Sequence, residues 1–122
     1  MLFRSSLCAA VDVLKSYDAF RILCVADMKE LGENSLAIHR EVGQYVKSSN
    51  LDLVCSYGNE SAVISEAVLG KHFTDKTEMV DFLVPLIENQ LQQNNKVVVL
   101  GKGSRSMKME DVIYSLKDKI KC

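Results

Sequence analysis

Positive charges and a hydroxyl are concentrated in a short glycine-containing segment near the end of the chain. The segment follows an apolar run from Val97 to Leu100 and contains Lys102, Gly103, Ser104 and Arg105. Glycines let a backbone approach a ligand closely, and a following helix offers unpaired N–H groups and partial positive charge at its first turn. The segment therefore predicts either a site for an anion or carboxylate, or an ordinary strand-to-helix turn, and its spacing leaves both open.

The same segment does not match the common glycine-rich nucleotide motifs. A P-loop needs a glycine where this chain has Lys96, and Ser or Thr where it has Gly103. A dinucleotide fingerprint needs a third glycine where Ser106 stands, and it belongs to the first strand of a domain and not to the last. Neither motif is therefore predicted here.

Composition limits the classes of function that remain. The chain has 122 residues, 48% of them hydrophobic, which predicts a single domain over residues 1–122. Its net charge of −1 gives no broad basic face for nucleic acid. Asp12 interrupts the apolar stretch near the start before a signal-peptide core is reached, and no run approaches transmembrane length. A cytoplasmic protein without a membrane or nucleic-acid partner is expected.

The cysteines do not predict a metal site. Their spacing matches no zinc or redox motif, which favours reduced thiols; the cysteines are Cys8, Cys24, Cys55 and Cys122. Cys24 and Cys55 lie in apolar, strand-like runs, where a buried thiol is typical of a small core residue. With only two histidines in addition, no metal ligand set is expected.

Helical and extended patterns alternate along the chain. Helices are predicted at 6–17, 34–48, 60–69, 75–91 and 109–120, and strands at 20–26, 51–56, 71–73 and 97–100. Asp75, with Glu78 three residues later, predicts the start of the fourth helix, and Pro85 predicts a kink within it. Nearly unbroken apolar strands between helices indicate an α/β domain with a mainly parallel sheet.

Polar residues follow three of the predicted strands. Asp27 comes after the first, Tyr57 and Gly58 after the second, and residues 102–105 after the last. Because the carboxyl ends of parallel strands lie at the same edge of a sheet, we expect these segments to meet along one rim, where such sheets bind ligands.

Four motifs occur in an order typical of a known family. The chain reads VADMKELG from Val25 to Gly32, HREVG from His39 to Gly43, KHF from Lys71 to Phe73 and KGSRSM from Lys102 to Met107. With these motifs it resembles the C-terminal domain of the Mur ligases from about Ser6 onward. Within that family it is most similar to the branch that adds D-alanyl-D-alanine to UDP-N-acetylmuramoyl-tripeptide.

The resemblance implies a Rossmann-like three-layer sandwich with helices on both faces of the sheet. It also implies a cytoplasmic step of peptidoglycan precursor synthesis, in which ATP and Mg²⁺ activate the tripeptide carboxylate and the amine of D-alanyl-D-alanine attacks it. The family's N-terminal UDP-sugar domain and central ATPase domain are expected to lie outside this chain. The chain alone should therefore neither catalyse ligation nor bind ATP and Mg²⁺ tightly.

The resemblance and the segment at 102–105 together imply roles for individual residues. Arg105 is expected to hold the dipeptide carboxylate bidentately, and Ser104 with the N–H groups of Gly103 and Ser104 to complete the pocket. Lys102 would supply a second charge, facing either the dipeptide or the ATP phosphates. Those two alternatives stay open.

Three residues outside that segment are further candidates: Asp27 for substrate binding, and Glu30 and His39 for supporting roles. Asp27 could orient the dipeptide amine, pair with Arg105 or serve only as a turn carboxylate. Glu30 is a weaker supporting candidate. For His39, a structural role at the core edge with a hydrogen bond to the Asp27 loop is favoured over a catalytic role.

Two departures from the family pattern motivate an alternative function. Ala26 stands where a glycine is usual, and Gly101 where a valine is usual. The alternative is a free-standing Rossmann-like binding module without ligase activity. An exposed docking face would also allow weak homodimerisation through residues 1–17.

Overall fold

The alternation of apolar strands with amphipathic helices produces a four-stranded sheet in a computed structural model, which describes residues 2–29 and 32–120. The strands are β1 Phe20–Ala26, β2 Leu53–Tyr57, β3 Lys71–Phe73 and β4 Val97–Lys102. The helices are α1 Leu2–Lys15, α2 Ser35–Ser48, α3 Ala62–Ala67, α4 Lys76–Gln92 and α5 Glu110–Lys119. Two short 3₁₀ turns cover Gly32–Asn34 and Arg105–Met107.

All the strand pairs of this sheet are parallel, and their order is β3-β2-β1-β4. In the register, Ala26 at the end of β1 lies opposite Tyr57 of β2, and Val25 lies opposite Lys102 of β4. The carboxyl ends of β1, β2 and β4 are therefore level with one another. The predicted α/β class with a parallel sheet is confirmed.

Helices cover both faces of the sheet because successive side chains of β1 point to opposite sides. Ile22, Cys24 and Ala26 belong to one buried cluster, which also contains residues of α4 and α5. Leu23 and Val25 belong to the other, which contains residues of α1, α2 and α3. The three-layer arrangement expected from the family resemblance is thus present, and β1 is buried from Ile22 to its end.

Helix α4 begins where the sequence predicts. The Asp75 carboxylate accepts a hydrogen bond from the Thr77 N–H at 2.7 Å, which satisfies one of the unpaired donors of the first turn. The helix continues through Pro85 to Gln92 without a break in its assignment. The kink expected at Pro85 stays a prediction.

The segment after β4 differs from the expectation. A 3₁₀ turn, Arg105–Met107, and Lys108 in the left-handed conformation separate the strand from α5. The first turn of α5 carries Glu110 and Asp111. The turn thus separates the N-terminus of α5 from the segment 102–105, and the two carboxylates in the first turn of α5 do not favour an anion there.

In the part of the chain that the structure describes, no helix has the length and apolar character needed to span a membrane. Cys24 and Cys55 are buried and form no disulfide, and Cys8 is partly buried. Cys122 lies outside the described residues.

Candidate functional site

Three loops meet at the carboxyl edge of the sheet, and we refer to residues 27–29, 58–61 and 102–105 as the rim. The N–H of Ser104 donates to the Asp27 carbonyl oxygen at 3.1 Å, which joins the loop after β4 to the loop after β1. The N–H groups of Asn59 and Ser61 donate to the Asp27 carboxylate, which joins the loop after β2. The predicted convergence of these segments is confirmed, and Asp27 is its centre.

The Asp27 side chain is only 3% exposed and its oxygens are used within the protein. Oδ1 accepts from the Ser61 N–H at 2.8 Å and Oδ2 from the Asn59 N–H at 2.9 Å. Burial opposes ionisation, but backbone N–H groups of Asn59, Ser61 and Glu60 outweigh it and hold the pKa of this carboxyl below its ordinary value. Asp27 is therefore an anion that fastens the rim.

Asp27 is a turn carboxylate in this structure, and its role in orienting the dipeptide amine stays a prediction. Its ion-pair partner is Lys29, whose Nζ lies 3.8 Å from Oδ2, and not Arg105. The pairing with Arg105 that the sequence left open is thus not what the structure shows. Lys29 was not among the candidates, although its position two residues after Asp27 would have allowed the contact to be anticipated.

Gly58 is required for this arrangement and was not among the predicted site residues. Its φ of +121° is a conformation that other residues rarely adopt. A Cβ at this position would also lie 2.6 Å from Oδ1 of Asp27. Its place in a turn directly after a strand was the available sequence signal.

Gly103 is required for a close crossing of two loops. A Cβ on it would lie 2.8 Å from the Cβ of Ala26, which is itself completely buried. Ala26, which differs from the family pattern, is therefore an interior residue next to Gly103.

Ser104 lies beneath the rim surface and is 6% exposed. Its N–H donates to the Asp27 carbonyl, and its Oγ accepts a hydrogen bond from the Lys29 N–H. The prediction that the Ser104 N–H is available to a ligand is therefore wrong. The hydroxyl still has its own proton to donate.

Lys102 and Arg105 differ from the other residues of the rim. Lys102 is the last residue of β4 and is partly exposed, whereas Arg105 begins the 3₁₀ turn and is exposed. Within residues 2–29 and 32–120, neither side chain has an ion pair or hydrogen bond. These two cations are therefore the groups of the predicted segment that can bind an external anion.

His39 lies behind the rim, completely buried. Its Nε2 is 3.0 Å from the backbone nitrogen of Met28, and its Nδ1 is 2.7 Å from the carbonyl oxygen of Ser35. Oε2 of Glu60 lies 3.6 Å from Nδ1. The predicted hydrogen bond between His39 and the Asp27 loop is present. Glu30, the other supporting candidate, lies outside the described residues.

The second histidine supports the opposite side of the rim. Nε2 of His72 lies 2.7 Å from the carbonyl oxygen of Gly58, and Nδ1 lies 2.6 Å from Oγ of Ser56. Since a carbonyl can only accept, Nε2 carries the proton of this contact. Both histidines thus hold backbone groups of the rim loops.

The side chains near the rim determine whether a metal ion or a nucleotide could bind there. In the described part of the chain, no three or more His, Cys, Asp or Glu side chains are grouped so that they could hold a metal ion. Burial raises the pKa of the Cys55 thiol to about 12 and that of Cys24 further, so both stay protonated. For the phosphates of a nucleotide, the rim offers Lys102 and Arg105.

The fold and the rim define a class: a Rossmann-like α/β domain with two cations, Lys102 and Arg105, at the carboxyl edge of its parallel sheet. The family model described as "Mur ligase, glutamate ligase domain" matches residues 4–105, which is most of the chain. The chain therefore belongs to this Mur ligase domain family.

Individual relatives show which type of Mur ligase the chain is similar to. Over 119 residues the chain is 91% identical to the UDP-N-acetylmuramoyl-tripeptide--D-alanyl-D-alanine ligase of Haemophilus influenzae, covering 98% of this chain and 26% of that protein. It is 42% identical over 118 residues to the ligase of the same name from Escherichia coli, covering 96% of this chain and 25% of that protein. The chain thus spans about a quarter of these curated relatives and corresponds to their C-terminal domain.

Solved structures give the same result. A crystal structure of MurF from Acinetobacter baumannii superimposes with a TM-score of 0.85 at 28% identity, covering 95% of this chain and 25% of that one. MurF ligase from Thermotoga maritima in complex with ADP gives 0.76 at 22% identity, with coverage of 95% and 26%, and shows likeness of fold alone. The comparisons do not favour the free-standing module considered from the sequence.

Proposed function

We propose that this chain is the D-alanyl-D-alanine-binding part of an ATP-dependent ligase that joins the dipeptide to UDP-N-acetylmuramoyl-tripeptide in cytoplasmic peptidoglycan precursor synthesis. The observation that carries the proposal is the Arg105 side chain, which lies at the carboxyl edge of the sheet and has no ion pair or hydrogen bond among the described residues. The names of the relatives at 91% and 42% identity support the choice of substrate.

In this proposal the dipeptide carboxylate binds at the open side of the rim. The guanidinium of Arg105 can donate two parallel hydrogen bonds to a carboxylate, which fixes its orientation as well as its position. The Ser104 hydroxyl, held by the Lys29 N–H, has a proton to donate beside it. Asp27 contributes by fixing the loops, because both of its carboxylate oxygens accept hydrogen bonds from backbone N–H groups of the rim.

In this proposal, the tripeptide carboxylate is activated by other domains of the ligase. ATP and Mg²⁺ would be used by the full enzyme, in keeping with the ADP complex of the Thermotoga relative. The described residues offer no metal ligand group, and the segment at 101–106 is not a P-loop. We therefore place the UDP-sugar and ATPase functions in separate domains, and we expect this chain alone to bind ATP and Mg²⁺ weakly and to be inactive in ligation.

An NMR titration of the chain with D-alanyl-D-alanine tests the proposal. We expect amide shifts centred on residues 102–106 that are weaker with L-alanyl-L-alanine and absent in Arg105→Ala. Arg40→Ala, which removes an exposed arginine from α2, is the matched control and should bind as wild type does. Shifts that are equal for both dipeptides, or that persist in Arg105→Ala, would contradict the proposed site.

Self-association through residues 1–17 is a secondary proposal. Val13 on α1 is 59% exposed and Tyr17 just beyond it is 50% exposed, which leaves apolar surface at this end of the chain. Light scattering after size-exclusion chromatography should show a concentration-dependent rise in mass that Val13→Ser reduces. A constant monomer mass at high concentration would contradict it.

A further inference from the structure

The contacts of His39 fix its protonation state. The Met28 amide can only donate, so Nε2, at 3.0 Å from its nitrogen, must carry a lone pair. The Ser35 carbonyl can only accept, so Nδ1, at 2.7 Å from its oxygen, must carry the proton. His39 is therefore a neutral imidazole with its hydrogen on Nδ1.

The hydrogen bond to Met28 lies at the centre of the rim. On one side of Met28, the Asp27 carbonyl accepts from the Ser104 N–H, and on the other, the Lys29 N–H donates to Ser104 Oγ. Ser104 is the residue directly before Arg105. A displacement of Met28 would therefore be transmitted to the backbone that carries Arg105.

We propose that neutral His39 is a positioning residue that holds the loop 27–29 and, through Ser104, sets the place of Arg105. The consequence for dipeptide binding rests on the function proposed above, whereas the consequence for the loop does not. Because His39 is completely buried, it acts from within the protein through its contact with Met28.

Protonation of His39 would break this contact. A second proton on Nε2 would point at the Met28 N–H, so two donors would face each other across 3.0 Å. Glu60 faces Nδ1 at 3.6 Å. The other charged groups on this loop, Asp27 and Lys29, are paired with each other. Protonation of His39 would therefore loosen the rim.

His72 provides an internal comparison. Its Nε2–H donates to the Gly58 carbonyl, and its Nδ1 meets the hydroxyl of Ser56. That hydroxyl can donate to Nδ1 or, when Nδ1 is protonated, accept from it and donate to Ser65 Oγ at 2.7 Å instead. Protonated His72 therefore keeps both contacts, unlike protonated His39.

NMR spectra of the chain between about pH 8 and about pH 5, the range in which histidines ordinarily change charge, test the inference. We expect the His39 nitrogens to show the Nδ1–H tautomer, and the amides of Met28, Lys29 and Ser104 to shift together as His39 titrates. His39→Gln supplies an acceptor at the same place without titrating, so it should abolish this pH dependence and keep the wild-type shifts at high pH.

His39→Leu and His72→Gln complete the set. His39→Leu removes the acceptor, and the three rim amides should then shift at every pH. His72→Gln should leave the pH dependence of Met28, Lys29 and Ser104 unchanged. The inference is overturned by the Nε2–H tautomer, by rim amides that do not follow His39, or by His39→Gln and His39→Leu spectra that are alike at the rim.

Dipeptide binding, measured at both ends of this pH range, tests whether His39 affects the affinity for the dipeptide. Wild-type affinity for D-alanyl-D-alanine should fall about tenfold at the lower pH, which corresponds to the loss of roughly one hydrogen bond, and His39→Gln should not show the fall. Equal pH dependence in both proteins overturns the effect of His39 on binding. If no dipeptide binds at either pH, the proposed function fails, and the amide shifts still decide the role of His39 in the loop.

Discussion

The two sides of the rim differ in whether their polar groups are already hydrogen-bonded within the protein. On the scaffold side, which consists of Asp27, Gly58 and Ser104, the carboxylate and the serine donor and acceptor are engaged by neighbouring backbone. On the open side, which consists of Lys102 and Arg105, the side chains have no partner among the described residues. Polar residues that converge at the edge of a sheet therefore do not all serve the ligand, and the pattern of internal hydrogen bonds separates the two roles.

The comparison predicts that changes on the scaffold side affect folding, whereas changes on the open side affect binding. Substitutions on each side, with a matched control, test that division.

Gly58→Ala should have the largest effect, a loss of about 3 kcal/mol in the free energy of unfolding. The added methyl meets the Asp27 carboxylate and the backbone conformation is unfavourable for alanine. Gly101→Ala is the control, because its Cβ would meet the flexible Ile113 side chain at 3.3 Å, and it should cost less than about 1 kcal/mol. Urea unfolding measures both, and equal losses would contradict the assigned role of Gly58.

Asp27→Asn should lower the free energy of unfolding by about 2 kcal/mol at neutral pH, because it replaces a carboxylate that accepts several backbone hydrogen bonds. The pKa of Asp27 is lowered in the folded state, so its stabilisation is present above the ordinary value of 3.8 and is lost as the pH falls through the folded value.

The difference between wild type and Asp27→Asn should therefore shrink in acid, as urea unfolding at a series of pH values would show. Asp118→Asn, at an exposed position on α5, should change stability by less than about 0.5 kcal/mol at any pH. A difference for Asp27→Asn that grew in acid would contradict the sign of this linkage.

Lys102→Met should have the smallest effect, a weakening of D-alanyl-D-alanine binding by about fivefold with no loss of stability. A lysine contributes a point charge and lacks the bidentate geometry of Arg105. Calorimetric titrations with the dipeptide and with ATP would separate the two roles of Lys102. If ATP binding falls and dipeptide binding does not, Lys102 faces the phosphates.

The fold could be predicted because its signals are local. The apolar runs of β1 and β4, like the apolar stripes of the helices between them, can be recognised from a few neighbouring residues. Their alternation implies a parallel sheet. The turn after β4 was not predicted, because the 3₁₀ turn at Arg105–Met107 and the left-handed Lys108 depend on contacts made in three dimensions.

The candidate site could be predicted only in part. The rim segments could be identified because each directly follows a strand of a parallel sheet. The His39 contact follows from helical spacing and the family resemblance. The partners of Asp27 do not, because Asn59 and Ser61 are 32 and 34 residues away along the chain. The same is true of the Lys29 N–H and Ser104 Oγ, which are 75 residues apart. Only the folded backbone shows which donors are already used.

The division of the rim is tested most directly by measuring dipeptide affinity and unfolding free energy on the same samples of wild type and Arg105→Ala. We expect Arg105→Ala to weaken D-alanyl-D-alanine binding at least about thirtyfold, the value of a charged hydrogen-bonded pair, while the free energy of unfolding changes by less than about 0.5 kcal/mol. A variant that loses stability and keeps its affinity for the dipeptide would contradict the assignment of Arg105 to the open side.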